Sequence, residues 1–153
     1  PFNTFGPRQS ARAVIPNMIV QLLHTNTVKI GDITPTRDFT YVKDTCKGFL
    51  YLLEKDVPFG EVFNIGSNFE ISIHDIFNLL TKIMGKTAQL VQEKQRIRPE
   101  KSEVRRLWCN NKKIVEATGF TPDYSFEKGL EETVEWFSDP NNLKKYKHEI
   151  YNV

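Results

Sequence analysis

Apolar positions along the chain recur mostly at helical spacing, separated by short alternating stretches. Residues 1–15 read as irregular or extended, punctuated by Pro7 and Pro16, with Ile15 pushed toward an extended conformation by the proline after it. Pro16 then fits the first turn of a helix whose apolar face carries Ile19, Leu22 and Leu23 and which ends near Asn26. Val28-Lys29-Ile30 predicts a short strand closed by Gly31-Asp32, and Arg37 to Val42 a second extended piece. Val42, Thr45, Cys46, Phe49, Leu52 and Leu53 return to helical spacing, which predicts a well-buried helix over roughly residues 43–55. Pro58 and Gly60 break the chain before Val62 to Ile65, a short strand stopped by Gly66.

Ser72, three residues before Asp75, predicts a capped helix with Ile73, Ile76, Phe77, Leu80 and Ile83 on one face, stopped at Gly85. Ala88 to Gln92 reads as a strand. Asn110 or Asn111 opens a short helix ended by Gly119, and Ser125 opens the last long one, with Phe126, Leu130, Val134 and Phe137 inward and Asp139-Pro140 at its end. Helices outnumber strands, and no strand-helix-strand run supports a full parallel sheet. The expected class is therefore α/β, mixed α+β in this chain. Residues 1–140 form one lobe and 141–153 a polar tail.

Composition narrows the function classes. A length of 153 residues suits one domain. The longest apolar run, Phe49 to Leu53, is far below the ~20 residues of a membrane helix, so no membrane partner is expected. Cys46 and Cys109 are too few and too far apart for a disulfide framework or a metal site, which points to a reducing cytoplasm. Residue 1 is Pro rather than Met, so the chain is expected not to start where a gene starts. Net charge is +2, but Lys94 to Lys113 holds eight basic residues against Glu100 and Glu103. Such a run fits either a solvated face or an anionic partner. It leaves open a noncatalytic module binding a nucleotide or polyanion, although Trp108 is its only aromatic residue and no nucleic-acid motif accompanies it.

No two glycines are spaced as in a dinucleotide-binding loop. Tyr51 with Lys55, and Tyr124 with Lys128, have a spacing at which a lysine can lower a phenol's pKa, but so short a pattern arises readily by chance, and Tyr51 sits in an apolar run. His24, His74 and His148 show no ligand spacing. More informative are polar residues at strand ends and loops: Asn3 and Arg8 around Gly6-Pro7, Arg37-Asp38, Asn64 before Gly66, and Arg98-Pro99 ahead of Ser102-Glu103-Val104. Arginines in loops suit bidentate phosphate binding, and Glu103 suits a ribose diol.

Taken in order, Pro1 to Gln9, Arg12 to Pro16, Gly31-Asp32, Arg37-Asp38-Phe39-Thr40-Tyr41-Val42-Lys43-Asp44, Phe63-Asn64-Ile65-Gly66, Arg98-Pro99, Ser102-Glu103-Val104, Gly119 to Pro122 and Gly129-Leu130 resemble the C-terminal, substrate-binding half of extended short-chain dehydrogenase/reductases of the NAD-dependent epimerase/dehydratase family. Within that family the chain is most similar to nucleotide-sugar 4,6-dehydratases, especially those acting on nucleotide-linked N-acetylglucosamine toward legionaminic acid; UDP-sugar 4-epimerases share most segments. The resemblance implies that Arg37 and Arg98 bind the diphosphate, that Asn3 and Asn64 hydrogen-bond the sugar or diphosphate, and that Val14 contacts the nucleotide through its backbone. It also implies that Ile30 and Gly31 line the base pocket, that Glu103 binds the ribose, and that Arg12 lies nearby. The implied substrate is a UDP- or GDP-linked sugar and the implied cofactor NAD. The glycine-rich loop and the catalytic Tyr and Lys are expected upstream of Pro1, so no catalytic residue is expected in this chain. The complete enzyme is expected to be a cytoplasmic homodimer of cell-surface polysaccharide synthesis. Deprived of its other half, the chain is expected to expose apolar surface on the 43–55 helix and the 63–65 strand and to self-associate.

Overall fold

The computed structural model describes residues 1–97 and 104–146. Its centre is β3 (Thr36–Tyr41), whose alternating side chains serve two faces at once. β1 (Asn3–Phe5) pairs parallel with the C-terminal half of β3, with Thr4 opposite Thr40. β4 (Glu70–Ser72) pairs antiparallel and β6 (Arg106–Leu107) parallel with its N-terminal half. A second, two-stranded parallel sheet joins β2 (Thr27–Ile30) to β5 (Gln89–Gln92), with Ile30 opposite Gln92.

Five of the six α-helices among the described residues form where apolar periodicity and end signals coincide. α1 (Val14–His24), α3 (Ile73–Ile83) and α5 (Phe126–Ser138) bury Met18, Ile19, Leu22, Ile76, Leu80, Leu130 and Phe137 against Phe5 and Tyr41. The Ser72 hydroxyl accepts from Asp75 N–H at 3.0 Å and donates to its carboxylate at 2.6 Å, while Ser125 accepts from Lys128 N–H at 3.2 Å. Each satisfies a donor that the first helical turn leaves open. α4 (Lys112–Thr118) ends on Gly119 in the left-handed conformation, and Ile114 packs with Ile65 and Phe120 in a smaller cluster. Asp139 caps the four-residue α6 (Pro140–Leu143), after which Tyr146 packs on Trp136 and Phe137.

Four expectations need correction. Ile15 is helical, because α1 begins at Val14 and Pro16 occupies the third helical position, where its missing N–H would have no intrahelical partner anyway. Parallel pairing does occur, at three strand pairs joined by crossovers. Residues 62–65 are not a strand: the Ile65 carbonyl accepts one bond, from Phe2 N–H at 2.8 Å, and no ladder forms. α2 (Val42–Glu54) is a helix but not a well-buried one. Asp44, Thr45 and Gly48 face inward, while Phe49 and Leu50 are half exposed and Leu53 is 81% exposed. The expected apolar surface thus lies on this helix, whereas Ile65 is buried. Strands β4 and β6 and the single turn of 3-10 helix at Lys94–Arg96 carried too little pattern to be anticipated.

Candidate functional site

The edges of β1, β2 and β3 and the start of α1 enclose a cavity of about 380 Å³. Asn3 from β1, Arg12 and Val14 at the entry to α1, Ile30 and Gly31 at the end of β2, and Arg37 from β3 all line it. Six of the nine residues singled out from the sequence therefore converge, although they span three strands and a helix. Asn64 does not join them. Flanked by buried Ile65 and half-buried Phe63, it faces solvent beside Asn110, Lys112 and Lys113. Arg98 and Glu103 lie outside the described residues.

Local chemistry fixes the walls. Asn3 donates its amide to the Asp38 carbonyl at 3.2 Å, a cross-strand tie between β1 and β3. Gln21, buried in α1, accepts from Lys29 N–H at 2.9 Å and donates to the Lys29 carbonyl at 3.1 Å, binding α1 to β2 beneath the cavity. Gly31 is required by close approach: a Cβ there would stand 2.2 Å from the Arg96 carbonyl oxygen. That contact seats the turn after β5 against the cavity and brings Arg96 into its wall. Gln9, also in the wall, donates to the Thr4 carbonyl at 2.8 Å, which fixes its amide orientation. Its own Oε1 is buried with no partner among the described residues. An unpaired buried acceptor costs ~1–3 kcal/mol, so a donor supplied by a ligand or water would relieve it.

The lining is electropositive. Arg12, Arg37 and Arg96 are in the wall, and Asp32 is its one acid among the described residues. Asp32 is committed elsewhere: it accepts from Thr34 N–H at 2.9 Å and Thr34 O–H at 2.8 Å, and pairs with Arg105 at 2.8 Å. The Thr34 bonds, then Arg105, hold its carboxyl below the usual range. Three arginines in one wall suit an anionic ligand.

The rest of the Arg37–Asp44 motif is structural. Asp38, fully buried, accepts from Ser67 N–H and O–H at 3.0 and 2.8 Å and from Cys109 N–H at 3.3 Å, clamping two loops to β3. Tyr41 donates to Glu132 at 2.7 Å, and burial pushes its phenol up. Asp44 accepts from Asp123 and Tyr124 N–H at 2.8 and 3.2 Å, and burial raises its carboxyl. The Tyr/Lys pairs make no catalytic arrangement: Lys47 lies over the Tyr51 ring, and the Tyr124 hydroxyl accepts from Lys43 while Lys128 lies over its ring. The basic run is largely neutralised in space, with Arg96 on Glu93, Arg105 on Asp32, Arg106 on Glu70, Lys112 on Glu116 and Lys113 on Glu61. That pairing removes the main argument for a polyanion-binding face.

Sequence reasoning missed Gln9 and Arg96. Gln9 was visible only as part of a motif, and Arg96 reaches the cavity through a backbone contact that no local pattern encodes.

The fold is that of part of an extended short-chain dehydrogenase/reductase. Residues 1–133 match the family model described as GDP-mannose 4,6 dehydratase, and the chain belongs to that family. It is 30% identical to human dTDP-D-glucose 4,6-dehydratase over 141 residues, covering 90% of this chain and 40% of that protein. The Bacillus cereus UDP-glucuronic acid 4-epimerase, solved with UDP-glucuronic acid and NAD, superposes with a TM-score of 0.81 at 33% identity, covering 95% of this chain and 44% of that one. The RMD protein of Pseudomonas aeruginosa, solved with NADPH, gives 0.81 at 29% identity, covering 90% and 46%. The chain thus spans less than half the length of these relatives, which are nucleotide-sugar dehydratases, epimerases and reductases of the extended short-chain dehydrogenase/reductase class.

Proposed function

We propose that this chain is the sugar-nucleotide-holding lobe, residues 1–140, of an NAD-dependent nucleotide-sugar 4,6-dehydratase. The observation that carries the reading is the convergence of Asn3, Arg12, Val14, Ile30, Gly31 and Arg37 on one electropositive cavity. Arg37 and Arg12 would bind the diphosphate, Ile30 and Gly31 the base, Val14 the nucleotide through its backbone, and Asn3 the sugar side of the diphosphate. Arg98 and Glu103 are proposed to complete the site around the phosphates and ribose, whereas Asn64, which faces solvent outside this cavity, is not assigned to it. The sugar is proposed to be N-acetylglucosamine on a uridine or guanosine diphosphate.

None of the described residues forms a glycine-rich dinucleotide cradle, so the NAD site and the hydride-transfer groups are proposed to lie outside these 153 residues. When bound there, NAD supplies hydride removal and return on the sugar. This lobe contributes binding and orientation but no proton transfer. The 4-epimerase reading stands second, favoured by the likeness to the Bacillus cereus epimerase. The apolar face of α2 is proposed to drive self-association of the isolated chain. Calorimetry tests the substrate reading: UDP or GDP should bind the folded chain, and Arg37→Ala should weaken it. A folded chain that binds neither nucleotide would overturn it.

A further inference from the structure

We infer that Arg96, oriented by Glu93, is a further cationic contact for the phosphates of the bound ligand. The inference rests on the sugar-nucleotide reading of the cavity and adds two residues to it. The β2–β5 ladder ends at Ile30 and Gln92, and Glu93 N–H then donates to the Ile30 carbonyl at 2.8 Å. Arg96 N–H donates to the Glu93 carbonyl at 2.9 Å, closing a turn that rests directly on Gly31. The Arg96 backbone is therefore fixed at the cavity wall by the same glycine that lines its base end.

The side chain is fixed as well. Arg96 Nε donates to Glu93 Oε2 at 2.7 Å with the guanidinium side chain only 12% exposed, and Lys29 holds the other Glu93 oxygen at 3.2 Å. Lys29 and Arg96 thus hold the Glu93 carboxylate between them. Arg96, then Lys29, hold the Glu93 carboxyl below the usual range, and the clamp persists at neutral pH. Arg37 comes from β3 and Arg96 from the turn after β5, so the cavity wall draws arginines from two different elements. A pyrophosphate bridge bearing two negative charges in a partly enclosed cavity needs such compensating charge. Glu93 is a positioning residue here, since it acts through Arg96.

The test measures UDP and GDP affinity of the 153-residue chain at low and at physiological salt, for wild type, Arg37→Ala, Arg96→Gln, Arg96→Lys and Glu93→Gln, with a thermal melt for each. Arg96→Gln should weaken nucleotide binding about tenfold or more at low salt and flatten its salt dependence. Arg96→Lys should lose less, and Glu93→Gln should lie between Arg96→Lys and wild type. These two milder changes carry the test if Arg96→Gln fails to fold. Nucleotide binding unchanged in the Arg96 and Glu93 variants but lost in Arg37→Ala would overturn this inference and leave the cavity reading standing. An equal loss at both salts would make Arg96 purely structural and overturn it too. Absence of any nucleotide binding in the folded wild-type chain would overturn both.

Discussion

Replacing Gly31 by alanine isolates the contact on which the cavity depends. The glycine is not in the left-handed region, so alanine meets no backbone strain of its own. At such a site Gly→Ala ordinarily stabilises by ~0.4–1 kcal/mol, because it restricts the unfolded chain. Here the added Cβ would stand 2.2 Å from the Arg96 carbonyl oxygen and 2.8 Å from its carbon. Both are backbone atoms, and no side-chain rotation relieves the overlap. The turn must move, breaking or stretching the 2.8 Å Glu93 N–H bond to the Ile30 carbonyl. Overpacking of this kind costs ~1–3 kcal/mol, which outweighs the unfolded-state gain and leaves a net loss of ~1–2 kcal/mol. For a chain of this size that is a fall in melting temperature of about 3–8 °C. Urea titration and thermal melts by circular dichroism read the stability, and UDP titration reads the cavity, where binding should weaken as well. A Gly31→Ala chain as stable as wild type, with undiminished UDP binding, would refute the reasoning.

Other expectations follow from single contacts. Ser125→Ala removes the hydroxyl that accepts from Lys128 N–H and should cost ~1 kcal/mol in urea unfolding. Native protein should yield one fast equivalent of reactive thiol, from exposed Cys46, and a second only on unfolding, because burial and then Asp38 push the Cys109 thiol up to about 12. Glu61, Glu70, Glu93 and Glu132 are held below the carboxylate range by Lys113, Arg106, Arg96 and Lys43 respectively. The folded chain binds these protons less tightly than the unfolded one, so their stabilisation is full above ~pH 5 and is lost as pH falls through and below ~4.5, read as a falling urea midpoint. Leu53→Glu on the exposed face of α2 should reduce self-association in light scattering; a wild-type chain that stays monomeric at high concentration would contradict that part of the account.

Much of the fold was legible because periodicity and end signals agreed, as at Ser72, Ser125 and Gly119. The failures have a common cause. β4 and β6 are strands only because β3 offers them bonding edges, and 62–65 is not one because it finds only Phe2. α2 carries a buried helix's pattern, yet Phe49 and Leu53 lack a covering surface among the described residues. In the site, Arg37 and Asn3 were readable from their motifs. Gln9 depends on a turn that folds it back on the Thr4 carbonyl, and Arg96 on a contact distant in sequence with the bare Cα of Gly31. Asn64, also a motif residue, lies outside this cavity, exposed beside Asn110, Lys112 and Lys113.

The claim that this cavity holds a sugar nucleotide is tested most directly by amide chemical shifts during titration with UDP-N-acetylglucosamine. The account expects the largest changes at Asn3, Val14, Gly31, Arg37 and Arg96, suppressed in Arg37→Ala. Shifts absent from these residues at saturating ligand, or confined to the apolar face of α2, would contradict it.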